Sequence, residues 1–199
     1  MKRRAVFLDR DGTINEDVGY PGRYDQVRIY PYSFEAVRKL NEAGLAVVVI
    51  TNQSGVGRGL FSEDDLRAIH DRMRADFAAA GARIDAVYYC PHFPGSSSPA
   101  YDADCACRKP FPGMALRARE DLGLDLEGSY MVGDKVEDVL FGRNAGARTV
   151  LVLTGYGAAS RSALEAAGSE PDHVAADLGE AADWILAREK ERPAGTERR

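Results

Sequence analysis

No stretch of this chain holds the roughly 18 consecutive apolar residues that a bilayer-crossing helix needs, so no membrane partner is expected. The opening Met1-Lys2-Arg3-Arg4 is basic, as a secretion signal would begin. The apolar run behind it, Ala5 to Leu8, ends at Asp9 and is too short for a signal's hydrophobic region, which leaves a cytoplasmic protein as the expectation. Cysteine is scarce, with 3 in 199 residues, and an odd count in such a chain makes a poor disulfide framework. Basic residues are outnumbered, 26 Lys and Arg against 31 Asp and Glu. The formal net charge of −5 argues against a protein that grips nucleic acid through bulk charge. It leaves room for a small anionic ligand, for which a few local cations suffice.

What is present is an ordinary globular balance, 45% hydrophobic and 29% charged, in a length that suits one domain. Short apolar runs recur at Ala5–Leu8, Leu45–Ile50, Ile84–Tyr89, Tyr130–Val132 and Thr149–Leu153. The run Ala46 to Ile50 has no polar alternation, as a parallel strand covered on both faces requires. Helical patterns lie between them. Phe34, Val37 and Leu40 mark one helix closed by Gly44. Leu66, Ile69, Met73 and Phe77 mark another, which opens at Ser62 with Asp65 three residues on and ends at Gly81. A third opens at Pro112 and stops at Gly123, a fourth follows Asp134, and a last spans about Leu178 to Ala187. This alternation predicts a doubly wound α/β domain with a mostly parallel sheet over residues 1–190. The polar segment 191–199 has little to bury and is expected to be disordered.

In open α/β sheets, ligands bind beyond the carboxyl ends of the strands, so the residues there carry the most information. The first strand is followed by Asp9-Arg10-Asp11-Gly12-Thr13, the second by Thr51-Asn52-Gln53-Ser54-Gly55, the fourth by Gly133-Asp134-Lys135-Val136-Glu137-Asp138. Two carboxylates so close cannot both ionise cheaply without a cation between them. With Asp134 they form an all-oxygen set suited to Mg²⁺. One aspartate is then free to act as a nucleophile and the other as general acid and base. Thr51 and a lysine would steady the phosphoryl oxygens. A lone Asp-x-Asp-Gly is often only an Asx turn, and this one half matches a calcium loop. That loop needs a Glu at its twelfth position, where Tyr20 stands, and a helix before it, where a strand is read.

The three cysteines fall in one segment: Cys90-Pro91-His92, then the Pro-, Gly-, Ser- and Asp-rich stretch Phe93 to Asp104, then Cys105-Ala106-Cys107. Three thiolates and an imidazole suit a closed tetrahedral Zn²⁺ site, and without a metal such a stretch has little reason to be ordered. Cys90, His92, Cys105 and Cys107 are the candidate structural zinc ligands, with reduced loop thiols as the plainer alternative. His70 and His173 have no partners in sequence and read as surface residues. The zinc loop at 90–107 leads directly into Arg108-Lys109-Pro110, where Arg108 could fork onto a second anionic group.

Asp9-x-Asp11-x-Thr13, Thr51 after an apolar strand, Lys109, and Gly133-Asp134 with Asp138 resemble the four motifs of the haloacid dehalogenase superfamily of phosphatases. The strings LDRDGTIN, VVVITNQSGVGRG, YYCPH, CACRKP and YMVGDKVED narrow the likeness to the heptose bisphosphate phosphatase family. That resemblance implies a Rossmann-like fold with Asp9 as nucleophile and Asp11 as acid and base. It implies Mg²⁺ on Asp9, the main-chain carbonyl of Asp11, and Asp134, and phosphoryl contacts from Thr51 and Lys109. It further implies substrate contacts from Asp17, Val18, Gly19, Tyr20, Thr51, Asn52, Gln53, Ser54, Arg108, Lys109 and Lys135. Asp138 reads equally as support for the metal or as an exposed helix carboxylate. Cap domains of the superfamily enter after the first motif or between the second and third, and neither gap here is long enough for one. The implied activity is removal of the 7-phosphate from D-glycero-D-manno-heptose 1,7-bisphosphate, on the route to nucleotide-activated heptose. Histidinol-phosphate phosphatase, a relative with the same zinc loop, is the nearest alternative. A DNA 3′-phosphatase would want a more basic surface. A module that merely binds phosphate would not need Asp9, Asp11 and Asp134 together. The oligomeric state is open, with a monomer favoured.

Overall fold

A computed structural model describes residues 2–191. Six parallel strands form one sheet: β1 (Arg3–Leu8), β2 (Ala46–Asn52), β3 (Ala86–Cys90), β4 (Leu124–Gly133), β5 (Arg148–Val152) and β6 (His173–Ala175), in the order β3-β2-β1-β4-β5-β6. Among the described residues seven α-helices accompany it: α1 (Pro31–Glu42), α2 (Ser54–Gly57), α3 (Glu63–Ala79), α4 (Gly113–Leu122), α5 (Val136–Ala145), α6 (Gly157–Ala166) and α7 (Leu178–Glu191). Between β1 and β2 lie only a loop, a 3₁₀ turn at Tyr24–Gln26 and α1, so no cap domain is inserted there. Between β2 and Lys109 lie only α2, α3, β3 and the cysteine segment.

The unbroken apolar runs follow from burial on both sides. Val6, Leu8, Val47, Val49, Tyr130, Val132, Val150 and Val152 face one layer, where α1, α3 and α7 contribute Val37, Leu40, Met73, Phe77, Ala181 and Ile185. Their neighbours Ala5, Phe7, Ala46, Val48, Ile50 and Met131 face the other, against Met114, Ala115 and Ala118 of α4 and Phe141 of α5. A strand sandwiched this way has no polar face to alternate with.

Local signals place the helix ends as read. Ser62 accepts the Asp65 N–H at 3.1 Å while Asp65 reaches back to the Ser62 N–H at 2.9 Å, a reciprocal cap on α3. Gly123 ends α4 in the left-handed conformation. Besides the 3₁₀ turn, three elements were not read from the sequence. α2 is a single turn, and β6 is three residues behind Pro171-Asp172, too short for a period to show. α6 forms in a Ser/Ala-rich stretch where only Ser160 and Leu164 give an i, i+4 buried stripe. α7 continues past Ala187 to Glu191, the first residue of the expected tail; residues 192–199 lie outside the described part.

β1 and β4 lie side by side, and the chain's direction of travel across the sheet reverses between them. That switch point opens a crevice at the strands' carboxyl ends.

Candidate active site

Asp9 leaves β1 with its N–H still bonded to the Val132 carbonyl of β4 at 2.9 Å, which carries its carboxylate into the crevice. Asp134 follows the end of β4, and Asp138 sits one turn into α5. The three carboxylates are buried and offer oxygens within 4.8 Å of one another. One Asp134 oxygen accepts the Tyr156 N–H at 2.8 Å; Oδ1 is buried without a hydrogen-bond partner. Gly12, at φ +87°, and Gly155, at φ +56°, press so closely on Asp134 that a Cβ at either would overlap its carboxylate. The Thr154 hydroxyl bonds the Gly12 carbonyl at 2.6 Å and ties the β5 end over the same spot.

Lys109 is the counter-charge. Its ammonium lies 2.6 Å from Asp138 and 2.9 Å from Asp9 and donates to the Ile50 carbonyl at 3.1 Å. Burial works against its charge, but Asp138 and Asp9 outweigh burial and raise its pKa. Asn52 places the residue: its side-chain amide accepts from the Lys109 N–H at 3.0 Å and donates to the Lys109 carbonyl at 3.3 Å, as a neighbouring strand would. Asp138 is therefore not an exposed helix carboxylate; its second oxygen caps α5 by accepting the Lys135 N–H at 2.9 Å. Burial, and then the charge of Asp138, push Asp9 up to about 6. Burial, and then Asp9, push Asp134 up to about 7. This is a set of oxygen ligands short of positive charge, with one oxygen unpartnered. It fits Mg²⁺.

The Asp11 carboxylate turns away from that cluster. Arg10, fully buried, forks onto it through Nε at 3.1 Å and Nη2 at 2.7 Å. Asn15 and Gln53 add donations at 2.9 and 3.0 Å. Burial works to raise the Asp11 carboxyl, yet the Arg10 charge and these hydrogen bonds hold it below the usual carboxylate range. Gln53 also donates to the Thr51 hydroxyl at 2.9 Å. His70 corrects the sequence reading. It lies on the inner face of α3, 5% exposed, with Nε2 3.2 Å from Arg10 Nη1. Burial and Arg10 lower its pKa to about 3. The signal was in the pattern, since position 70 sits four after Leu66 and seven before Phe77 on the same stripe. His173 is half-buried and stacks on Trp184 with ring centres 4.7 Å apart.

A cavity of about 340 Å³ opens over these groups. Of the expected residues, Asp9, Asp11, Asp17, Gly19, Tyr20, Thr51, Asn52, Gln53, Ser54, Arg108, Lys109 and Lys135 line it. Val18 is exposed and outside the lining. Glu137 and Tyr156 line it as well and were not read from the sequence. Lys135 bridges the mouth, 2.9 Å from Asp17 and 5.0 Å from the centre of the Tyr156 ring.

The cysteine segment closes on itself. Cys105 Sγ lies 3.5 Å from Cys90 and 3.2 Å from Cys107, and His92 Nδ1 lies 3.5 and 3.3 Å from Cys90 and Cys107. These spacings exceed a disulfide's roughly 2.05 Å bond and approach the edge of about 3.7 Å of a tetrahedron built on Zn–S bonds. Hydrogen bonding from Cys90 draws the Cys107 thiol down to about 5, while the same contact, with burial, pushes Cys90 up. The set could hold a metal ion. Arg108 is braced against it, donating to the His92 carbonyl at 3.2 Å.

Comparison with known proteins places this arrangement. Residues 106–181 match the HAD-hydrolase-like family model. The chain is 41% identical over 184 residues to D-glycero-beta-D-manno-heptose-1,7-bisphosphate 7-phosphatase of Yersinia pestis, covering 92% of this chain and 89% of that protein. It belongs to the heptose bisphosphate phosphatase family. A second member, from Thermosynechococcus vestitus, is 43% identical over 189 residues, covering 93% and 96% of the two chains. The family's D,D-heptose 1,7-bisphosphate phosphatase from B. bronchiseptica, solved in complex with magnesium and phosphate, superposes with a TM-score of 0.81 at 37% identity. That match covers 93% of this chain and 99% of that one. The counterpart from Burkholderia thailandensis gives 0.67 at 36%, again over 93% and 99%. Family membership makes the chain a phosphoric monoester hydrolase of the haloacid dehalogenase superfamily.

Proposed function

We propose that this chain removes the 7-phosphate from D-glycero-D-manno-heptose 1,7-bisphosphate by way of an aspartyl-phosphate, in the synthesis of nucleotide-activated heptose. The observation that carries the reading is a cluster of three buried carboxylates, two of them paired with one buried lysine, at the floor of a cavity whose rim holds Arg108 and Lys135. Asp9 attacks phosphorus, because it alone of the three combines the strand-end position with an ion pair to Lys109. Asp11 protonates the departing C7 oxygen as the P–O bond breaks and then takes the proton of the water that cleaves the Asp9–phosphate bond. Lys109 and Thr51 steady the equatorial oxygens. Asp9, the main-chain carbonyl of Asp11, and Asp134 would hold Mg²⁺, which supplies the charge that lets these carboxylates and the phosphate approach one another. Asp138 keeps Lys109 aimed.

Around this centre, Asp17, Gly19, Tyr20, Asn52 to Ser54, Arg108 and Lys135 contact the sugar and the second phosphate, and Arg108 is the principal reader of that phosphate. Cys90, His92, Cys105 and Cys107 would hold a structural Zn²⁺ and so close the loop that presents Lys109. The same reading takes residues 1–190 as one catalytic domain, working as a monomer in the cytoplasm. No helix among the described residues is long and apolar enough to cross a membrane, and −5 of net charge gives nucleic acid no purchase.

The test is turnover with Mg²⁺ on both anomers of heptose 1,7-bisphosphate and on histidinol phosphate. The bisphosphate is expected to lead by about a hundredfold in kcat/KM, what 2–3 kcal/mol of charge-assisted binding gives. Asp9→Asn is expected to lose several orders of magnitude while remaining folded. A better rate on histidinol phosphate would move the assignment to that relative, and an active Asp9→Asn would remove the covalent route.

A further inference from the structure

Arg10 and His70 take no part in the chemistry just described, yet both are buried beside it. An arginine with no exposed surface needs a partner for every face of its fork. Here two of its nitrogens meet both oxygens of Asp11, and the third, Nη1, meets Nε2 of His70 at 3.2 Å. A guanidinium keeps its protons, so His70 must offer the Nε2 lone pair, as a neutral ring protonated at Nδ1. The chain of contacts runs from the inner face of α3 through Arg10 to Asp11. The Arg10 main chain also donates to Asp9 at 2.7 Å, so one residue touches both motif carboxylates.

We propose that Arg10 and His70 are positioning residues for Asp11: His70 fixes the plane of the guanidinium, and the guanidinium fixes the plane of the carboxyl. This rests on the reading of Asp11 as acid and base. Four donors occupy the carboxylate in its basic form, Arg10 twice, Asn15 and Gln53. Of these, Gln53 can accommodate a proton on Oδ2, because turning its amide end for end presents Oε1 as an acceptor. Arg10 holds the carboxyl in place through that exchange, so the proton given to the leaving oxygen and the proton regained from water pass through one position. If His70 no longer accepts from Nη1, the fork is free to tilt and Asp11 with it.

The experiment exploits the fact that a good leaving group needs no acid. kcat/KM is measured for a graded set of phosphate monoesters, from 4-nitrophenyl phosphate through phenyl phosphate to a sugar phosphate, with His70→Leu, His70→Gln and Asp11→Asn. Asp11→Asn is the control, expected to lose far more on the sugar ester than on the nitrophenyl ester. His70→Leu should lose about tenfold more on the sugar ester than on the nitrophenyl ester, a fraction of the roughly hundredfold or more that general acid catalysis supplies. His70→Gln, which restores an acceptor, should recover most of that difference. If His70→Leu lowers every ester by one common factor, His70 is merely structural and the proposal fails. If Asp11→Asn shows no leaving-group dependence, the acid–base reading fails and takes the proposal with it. Should His70→Leu not fold, Arg10→Lys, which keeps the charge and loses the fork, is held to the same ratio.

Discussion

Replacing Lys109 by Met keeps the aliphatic stem and deletes the ammonium. Two buried carboxylates, Asp9 and Asp138, then lose the cation that stood 2.9 and 2.6 Å away, and the Ile50 carbonyl loses a donor. Removing one partner of a buried ion pair costs about 3–5 kcal/mol, because the remaining charge stays desolvated. For a chain of this size that corresponds to a fall in Tm of roughly 6–20 °C. The same charge arithmetic says how to undo it. Asp138→Asn alone should also destabilise, since it strips Lys109 of its nearer partner. In the double variant one buried carboxylate and its cation disappear together, so the combined loss should fall short of the sum by about 1–3 kcal/mol. Urea unfolding of the four proteins in magnesium-free buffer closes the cycle. Turnover adds a second reading: kcat/KM should fall about 10²–10³-fold in Lys109→Met, as for loss of one donor to a developing oxyanion, and the double variant should not regain it. Strict additivity of the two substitutions would refute the account of Lys109 as the counter-charge of this cluster.

Further outcomes follow from other parts of the site. Burial and mutual repulsion raise Asp9 and Asp134 above their unfolded value of about 3.8, so the folded state binds more protons than the unfolded one between about pH 4 and 7. These two groups therefore cost nothing well below pH 3.8 and weaken the magnesium-free protein as pH rises through that window. Mg²⁺ competes with those protons, so its shift of the urea midpoint should be small at pH 5 and large at pH 7.5; an equal shift at both would contradict the assignment. Purified protein should carry about one zinc, and Cys107→Ser should lower zinc content and loosen proteolytic resistance across 90–107, with only partial loss of turnover. Metal analysis of unchelated protein decides it. Arg108→Ala should erase most of the preference for a bisphosphate over a monophosphate while affecting an aryl phosphate far less, as paired kcat/KM values will show.

The strand-end chemistry was legible because it sits in short contiguous strings whose spacing is set by one strand leading into one turn. The parallel sheet showed itself in runs such as Ala46–Ile50, where two-sided burial leaves no polar alternation. What stayed hidden was contact between distant segments. Nothing adjacent to His70 announces Arg10, sixty positions earlier, and a histidine on a helix is more often at the surface. Asp138 was ambiguous for the same reason, since only the fold reveals that Lys109 meets it in the first turn of α5. Tyr156 was invisible because its main-chain N–H, which bonds Asp134, carries no sequence signature. β6 was too short to have a period at all.

The pairing of the Asn52 side chain with the Lys109 backbone has a bearing on how such enzymes diversify. The segment 93–104 leaves and re-enters at one fastened point, the four-residue cysteine and histidine knot, and beyond it the amide rung borrowed from β2 holds Lys109 separately. Lengthening a loop with fixed ends is inexpensive, about 0.6 kcal/mol for each doubling. Where the Ser96 contact with Gly57 and the Tyr101 contact with Glu63 are kept, the rest of that loop can change length without displacing Lys109. None of residues 93–104 lines the cavity, so a change of that kind leaves the walls around Asp9 and Lys109 as they are.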